Sequence, residues 1–386
     1  MRVLFLTHSY PRWSGDAAGS FLLRLAQTLE QRGIEVAVVA PSAPGLPLRE
    51  DVGGIPVIRF RYAPARWETL AYTGSMAEDV KDSWAARLAL LGFIAAGTAC
   101  TLRVQREFSA DLLHAHWWFP AGIMGRIASA MAGKPFVVTM HGSDVRLAAS
   151  IRLARPFFRA VVRSATAVTT VSRWLAEQAT ALAPGLRTLV EPMPVATELF
   201  SGAKSARDPR RILFVGRLNE QKGIARLIEA LARVSAPATL DVIGDGPDAD
   251  VLRTRVQQLG LSDRVRWHGA LPQPAIAAFY QRAAVLAVPS LGEGLGLTAV
   301  EAQLSGTPVV AFDSGGISDT LRHNETGLLV PPGDLDAFAA ALNELITDHG
   351  RARAMGEAGA RWAIERFSPE VVAAHYAEIY RGALSA

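Results

Sequence analysis

Pro289-Ser-Leu-Gly-Glu-Gly-Leu-Gly-Leu-Thr-Ala-Val-Glu301 follows Val285–Val288, an apolar run that reads as a buried parallel strand. Beyond it, Thr298 to Leu304 has the composition of a helix. Gly292, Gly294 and Gly296 lie between, so a strand turns through a glycine-rich loop into a helix. Glycines let backbone N–H groups approach a ligand closely. A helix start offers unpaired N–H groups and a positive dipole end. Together these can hold phosphate. Glu293 and Glu301 bracket the loop with seven residues between them. A carboxylate can accept hydrogen bonds from two neighbouring hydroxyls, so an acid on each side of a phosphate site points to a sugar nucleotide. Thr298 with Glu301 also fits a T-x-x-E capping box, which satisfies a helix start with no ligand. The stretch alone leaves both readings open.

The residues before it repeat the pattern. Arg211 to Gly216 reads as a strand, followed by the loop Arg217-Leu-Asn-Glu-Gln-Lys-Gly223 and a helix. Two cations, Arg217 and Lys222, in a strand-to-helix loop suit a diphosphate, whose charge must be neutralised as it leaves. Gly244, Gly246 and Ala249 formally fit G-x-G-x-x-A after a strand, with Asp263 near the place of a ribose acid. Against a dinucleotide site, this is the second strand of its domain and Pro247 sits inside the motif. Asp248-Ala-Asp250 matches a D-x-D metal triplet, a pattern common by chance. Arg264 to Gly269, Pro308 to Ala311 and Gly327 to Val330 read as further strands, and Phe367-Ser368-Pro369 opens a final helix.

The first half starts the same way. Val3 to Thr7 is a strand, and the loop Ser9 to Ser20 contains Gly15 and Gly19. Phe21, Leu22, Leu25 and Leu29 follow at helical spacing, and Gly33 precedes a strand from Ile34 to Ala40. This opens a doubly wound α/β domain, in which ligands sit at the carboxyl ends of strands. Residues 44–80 read as loops and an irregular helix around a short strand, Pro56 to Phe60. His114 and His116 share one face of a strand and could bind metal, but no third ligand is evident. Phe136 to Asp144 is a strand ending in His141-Gly142, which places His141 at the crevice, with Asp144 three residues on. Arg152, Arg155, Arg159 and Arg163 form a basic stripe interrupted by Pro156, open to acceptor, membrane or solvent. Leu186 to Val190 closes the half.

A chain of 386 residues, half of them hydrophobic, suits two domains of about 150–200 residues. The single cysteine, Cys100, excludes internal disulfides and fits a reducing compartment. Val3 to Leu6 is too short for a secretory h-region. The uncharged run Leu88 to Leu102 has 15 residues, short of the roughly 20 that span a bilayer, and reads as a core helix. We therefore expect a cytoplasmic protein. Residues 1–200 carry 21 Lys+Arg against 15 Asp+Glu, and residues 201–386 carry 19 against 21. The basic first half allows an anionic acceptor, or peripheral attachment to the inner face of the membrane. No basic run interleaved with aromatics points to nucleic acid.

Glu293 to Glu301, the following Ala-Gln-Leu-Ser-Gly-Thr-Pro-Val-Val-Ala and Gly315-Gly316 resemble the E-x7-E signature of glycosyltransferase family 4. Leu295 stands where that family usually has Phe, and Asp319 where it has Glu. The Gly216-Arg217-Leu and Gln221-Lys222-Gly pair and the His141-Gly-x-Asp144 stretch are similar to it too. The resemblance implies the α/β GT-B fold, two facing Rossmann-like domains with a C-terminal helix crossing back to the first. It sets the N-terminal, acceptor-side domain at residues 1–192, a hinge at 193–209, the nucleotide-sugar domain at 210–368 and the returning helix at 369–386. It implies a retaining glycosyltransferase moving sugar from a UDP- or GDP-sugar to an acceptor hydroxyl, with no metal and no further cofactor. His141, Glu293, Arg217 and Lys222 are then the catalytic candidates. Gly19, Gly216, Leu271, Gly294, Leu295, Gly296, Leu297 and Glu301 join the last three around the donor. Asp16, His116 and Asp144 lie on the acceptor side. The alternative it leaves is a UDP-sugar epimerase of the same fold, which needs no acceptor. Oligomeric state is not specified.

Overall fold

The computed structural model describes residues 1–386 apart from 14, 17, 73–75 and 202–206. The chain divides into two compact units, residues 1–194 with 369–386, and residues 195–368.

The first unit holds strands β1 (Arg2–Leu6), β2 (Glu35–Pro41), β3 (Arg49–Val52), β4 (Ile55–Phe60), β5 (Leu112–His116), β6 (Phe136–Met140), β7 (Ala167–Thr170) and β8 (Leu189–Val190). Its helices are α1 (Ser20–Gln31), α2 (Met76–Asp82), α3 (Trp84–Phe108), α4 (Ile123–Ala132), α5 (Ser143–Ser150), α6 (Arg155–Ser164) and α7 (Arg173–Leu182). The strands lie in the order β3-β4-β2-β1-β5-β6-β7-β8. All pairs are parallel except the β3–β4 hairpin, in which β4 matches the strand expected at Pro56 to Phe60 while β3 falls where loop is expected. Strands β5 and β6 are buried at every position, because a parallel sheet is covered on both faces. Winding reverses direction between β1 and β5, which pair Val3 with Leu112.

Two expectations change here. Leu88 to Leu102, read as a core helix, is part of a 25-residue helix buried on one side only. Ala89, Phe93, Gly97 and Val104 face the core, while Trp84, Leu88 and Leu91 are exposed. The arginine stripe is also split, because Arg152 belongs to a separate 3-10 turn. Pro156 sits in the first turn of α6, so it starts that helix instead of interrupting it.

The second unit holds α8 (Thr197–Phe200), β9 (Arg211–Val215), α9 (Ile224–Leu231), β10 (Thr239–Ile243), α10 (Ala249–Gln258), β11 (Val265–Gly269), α11 (Gln273–Arg282) and β12 (Val285–Val288). It continues with α12 (Leu297–Leu304), β13 (Val309–Phe312), β14 (Gly327–Val330), α13 (Leu335–Thr347) and α14 (His349–Phe367). The all-parallel order is β11-β10-β9-β12-β13-β14, the nucleotide-binding arrangement with its reversal between β9 and β12. Asp334 caps α13 by accepting from the Ala337 N–H. From there Phe338, Leu342 and Leu345 repeat at helical spacing and pack on the core with Leu227 and Ile228 of α9. Burying each such side chain contributes about 1.5–3 kcal/mol. Of the expected hinge, residues 195–200 pack with this unit, and 202–206 lie outside the described residues.

The last helix, α15 (Pro369–Ser385), returns to the first unit against α1. Its Tyr380 hydroxyl meets His114 Nδ1 at 2.8 Å, and its Tyr376 hydroxyl lies 3.3 Å from Thr139 Oγ1. Two doubly wound sheets with a returning C-terminal helix are the architecture expected from the sequence.

Candidate active site

In the second unit, the loop after β9 carries the cations, the loop after β12 carries Glu293, and Glu301 lies on the helix α12 that follows. These strands are neighbours at the winding reversal, pairing Ile212 with Val285. After Gly216, Asn219 caps a short turn by accepting from the Lys222 N–H at 3.1 Å. Gly223 then turns back with φ +71°, and a Cβ there would stand 2.0 Å from the Pro289 carbonyl oxygen. The cation loop is thereby seated against the start of the glutamate loop. Lys222 Nζ pairs with the buried Glu293 carboxylate. Arg217 is exposed and makes no ion pair among the described residues.

The glutamate loop is braced from its other side by the turn after β13. The Gly316 N–H donates to the Glu293 carbonyl at 2.8 Å, and the Gly292 N–H to Ser314 Oγ at 3.0 Å. Gly294 and Leu295 are buried beneath it. Helix α12 begins at Leu297 with Gly296 as its N-cap, and no side chain caps it. Thr298 therefore lies inside the helix, and the capping-box reading does not hold. The Glu301 carboxylate instead accepts from the Tyr280 hydroxyl at 2.9 Å. Burial, reinforced by Glu301, pushes the Tyr280 pKa far upward, so the phenol stays a donor. Nothing in the spacing of the sequence identified Tyr280.

The G-x-G-x-x-A motif has a different explanation. A Cβ on Gly244 would stand 1.9 Å from the Gly216 carbonyl oxygen, and one on Gly246 2.3 Å from that of Leu218. The Leu218 N–H also donates to the Asp245 carbonyl at 2.9 Å. These glycines admit the cation loop and not a pyrophosphate. Asp250 of the D-x-D triplet is paired with Arg253 at the surface. Leu271 follows β11, partly exposed. Among the described residues, no group of three or more His, Cys, Asp or Glu side chains is placed to hold a metal ion.

In the first unit, the loops after β1, β5 and β6 converge. Gly19 caps α1 with φ +68°, and a Cβ there would meet the Ser9 carbonyl at 2.5 Å. Asp16 receives Arg12 Nε at 2.7 Å and Nη2 at 3.2 Å, and also the Ala18 N–H. Burial alone would raise its pKa, but the bonds from Arg12 and the backbone outweigh it and lower the value. Asp16 thus shapes its own loop and does not offer a free carboxylate to an acceptor. Asp144 behaves similarly. It is buried and accepts from the N–H groups of His141 (3.2 Å), Gly142 (2.9 Å) and Trp118 (3.0 Å). Desolvation raises its pKa against the pull of those bonds. Its role is to fix the turn that presents His141.

His116 Nδ1 lies 3.3 Å from His141 Nε2, while His116 Nε2 is buried with no partner among the described residues. Burial, then the nearby histidines, pushes both pKa values well below the ordinary imidazole range, so both rings are neutral. Trp117 holds a left-handed φ of +68°, and its ring lies 4.3 Å from the His141 ring, tilted against it, and meets His8 edge-on at 4.4 Å. Such strain persists only where the surroundings enforce it, here through the Trp117 N–H to Thr139 carbonyl bond of 2.8 Å. His114 turns instead to Tyr380 and Thr139.

Residues 17–194 match the model of the glycosyl transferase 4-like domain, and residues 196–362 that of the glycosyl transferases group 1. The D-inositol 3-phosphate glycosyltransferase of Xylanimonas cellulosilytica is 32% identical, covering 95% of this chain and 92% of that protein. The 2-deoxystreptamine N-acetyl-D-glucosaminyltransferase of Streptomyces fradiae is 31% identical, covering 92% and 90%. The chain belongs to glycosyltransferase family 4. Among solved structures, Anabaena HepE in complex with UDP superposes with a TM-score of 0.76 at 22% identity, covering 99% of this chain and 100% of that one. This family 4 glycosyltransferase accordingly has the GT-B fold. Its relatives are named as transferases, and the epimerase alternative is not favoured.

Proposed function

We propose that this glycosyltransferase moves a sugar from a UDP- or GDP-sugar to an acceptor hydroxyl with retention of anomeric configuration and without a metal. The observation that carries the proposal is the placement of Arg217 and Lys222 on the loop after β9, Glu293 on the loop after β12 and Glu301 on α12, all following the two strands at the reversal of the second sheet. The UDP named in the HepE complex supports a nucleoside diphosphate.

Arg217 and Lys222 would stabilise charge growing on the departing diphosphate. Such preorganised electrostatics is usually the largest catalytic contribution, and here it replaces a divalent cation. Glu293, buried and already fixed by Lys222, would hold donor sugar hydroxyls. Glu301, oriented by Tyr280, would hold the ribose hydroxyls. The leaving phosphate oxygen would take the acceptor proton. Neutral His141, presented at the end of β6, would serve in the first unit as an uncharged hydrogen-bonding group.

A thermal-shift panel of UDP, GDP and ADP, each with and without EDTA, tests the donor. A ligand at about 100 times its dissociation constant adds roughly 2.7 kcal/mol. One nucleoside diphosphate should shift the transition, insensitive to EDTA and lost in Arg217→Ala. Proton NMR of the first-formed glycoside reads the anomer, and inversion would refute retention.

A further inference from the structure

Helices α3, α4 and α6 lie side by side in the first unit, α3 against α4 and α4 against α6. Their outward sides are unusual in two independent ways. The first is apolar exposure. Trp84, Leu88, Leu91, Ala95 and Ala99 follow one another at helical spacing along α3, and all five are exposed. Leu91 is 67% exposed, and so is Met131 on α4. Phe157 on α6 is 61% exposed, and Leu153 in the turn before it 83%. Soluble monomers seldom show apolar residues of this size in one layer without a use for them.

The second is charge. The three helices carry seven arginines and one acid, Glu107, which is already paired with Arg49 and Arg103. Several of these arginines also have local work. Arg87 donates to the carbonyls of Val80 and Lys81, Arg155 to those of Ala148 and Ala149, and Arg159 to that of Leu182. Bonds to carbonyls leave their positive charge in place.

We propose that this layer is a docking surface for an anionic lipid bilayer, with the apolar side chains entering the interface and the arginines meeting acidic headgroups. Long apolar and indole side chains among cations, with almost no acid, are the pattern of a segment lying in a bilayer interface. Trp84 at one end of the α3 stripe packs on Trp67, the aromatic type that favours the headgroup level. A second copy of the chain fits less well, because the same face would set arginine against arginine. A nucleic acid would give Leu91 and Leu153 nothing to enter. Helix α3 is long and apolar enough to span a membrane by composition, but its inner side is packed on the first sheet. The proposed contact needs only its outer side. It is independent of the donor reading.

The test is flotation of the full chain with phosphatidylcholine vesicles and with vesicles containing phosphatidylglycerol. Wild type should float with the anionic vesicles alone, and molar salt should release it. Leu88→Ser with Leu91→Ser should lower the partition coefficient about tenfold or more. Arg106→Gln and Arg126→Gln, at exposed positions with little risk to folding, should each lower it about fivefold. Val251→Ser, at an apolar side chain 73% exposed in the second unit, should leave it unchanged. Thermal shift with the nucleoside diphosphate must be intact in every variant, which separates this failure from failure of the donor reading. The proposal is overturned if wild type does not float, if it floats equally on neutral vesicles, or if neither the serine pair nor the arginine variants alter partition. A soluble oligomer dispersed by the serine pair, with no vesicle binding, would overturn it in favour of self-association.

Discussion

Tyr280 and Glu301 are separated by 21 positions, and the hydrogen bond between them is what gives the second glutamate of the signature its direction. Tyr280→Phe should leave the fold intact and weaken nucleoside diphosphate binding roughly fivefold, the worth of one hydrogen bond of about 1 kcal/mol, as read by titration calorimetry. Unchanged affinity would mean that Glu301 needs no orientation. Lys222→Ala should lower kcat by about 10²–10³-fold, the scale of removing one preorganised electrostatic group. The variant also strands Glu293 in a buried position. A cycle with Glu293→Ala should therefore show strong non-additivity in stability measured by urea unfolding. At this scale the residue types were legible in the sequence, because two cations and two acids in strand-to-helix loops have few other reasons to recur together. Their partners were not. Nothing local reveals that Lys222 meets Glu293, or that Asp16 and Asp144 are occupied by Arg12 and by backbone N–H groups.

Glycines illustrate what an element-level pattern conveys. The sequence reports only that a Cβ is missing, and not what fills its place. Gly244 looked like part of a pyrophosphate loop, yet its neighbour is the Gly216 carbonyl oxygen, 1.9 Å from where a Cβ would be. Gly244→Ala should push the cation loop away from its seat. We expect about 1–3 kcal/mol of lost stability from the strained φ of +135°, with donor affinity falling in parallel. A variant that unfolds earlier yet binds the diphosphate normally would show that the loop does not rely on this seat. Alternating strands and helices were readable because buried parallel strands are continuous apolar runs. The β3 half of the β3–β4 hairpin was not readable. It is short, and Arg49, Glu50 and Asp51 make β3 look like a loop. The outer side of α3 was misread for a related reason, since apolar composition does not distinguish a covered face from an open one.

Across the molecule, titration is unevenly distributed. His114 and His116 are fully buried in the first unit, with the His114 pKa pushed down to about 3 and that of His116 well below the ordinary value. A histidine whose folded pKa lies below its unfolded value takes up a proton on unfolding. Its contribution is therefore present above about pH 6.5 and lost as pH falls toward the folded value, by up to about 1.4 kcal/mol per pH unit for each group. Calorimetry between pH 7 and pH 5 should show the first unit's transition moving down while the second unit's moves less. His114→Gln should flatten that dependence. Equal movement of both transitions would contradict the assignment.

The helix that returns to the first unit also imposes an order in time. Residues 195–368 are contiguous and leave the ribosome as a complete unit. The first unit begins emerging earlier but must wait, because His114 has no hydroxyl from Tyr380 until the second unit, residues 195–368, and most of α15 have been synthesised. At about 5–20 residues per second, that wait lasts many seconds. Throughout it, the side of the first sheet that α15 will cover is the part of the nascent chain most in need of a chaperone.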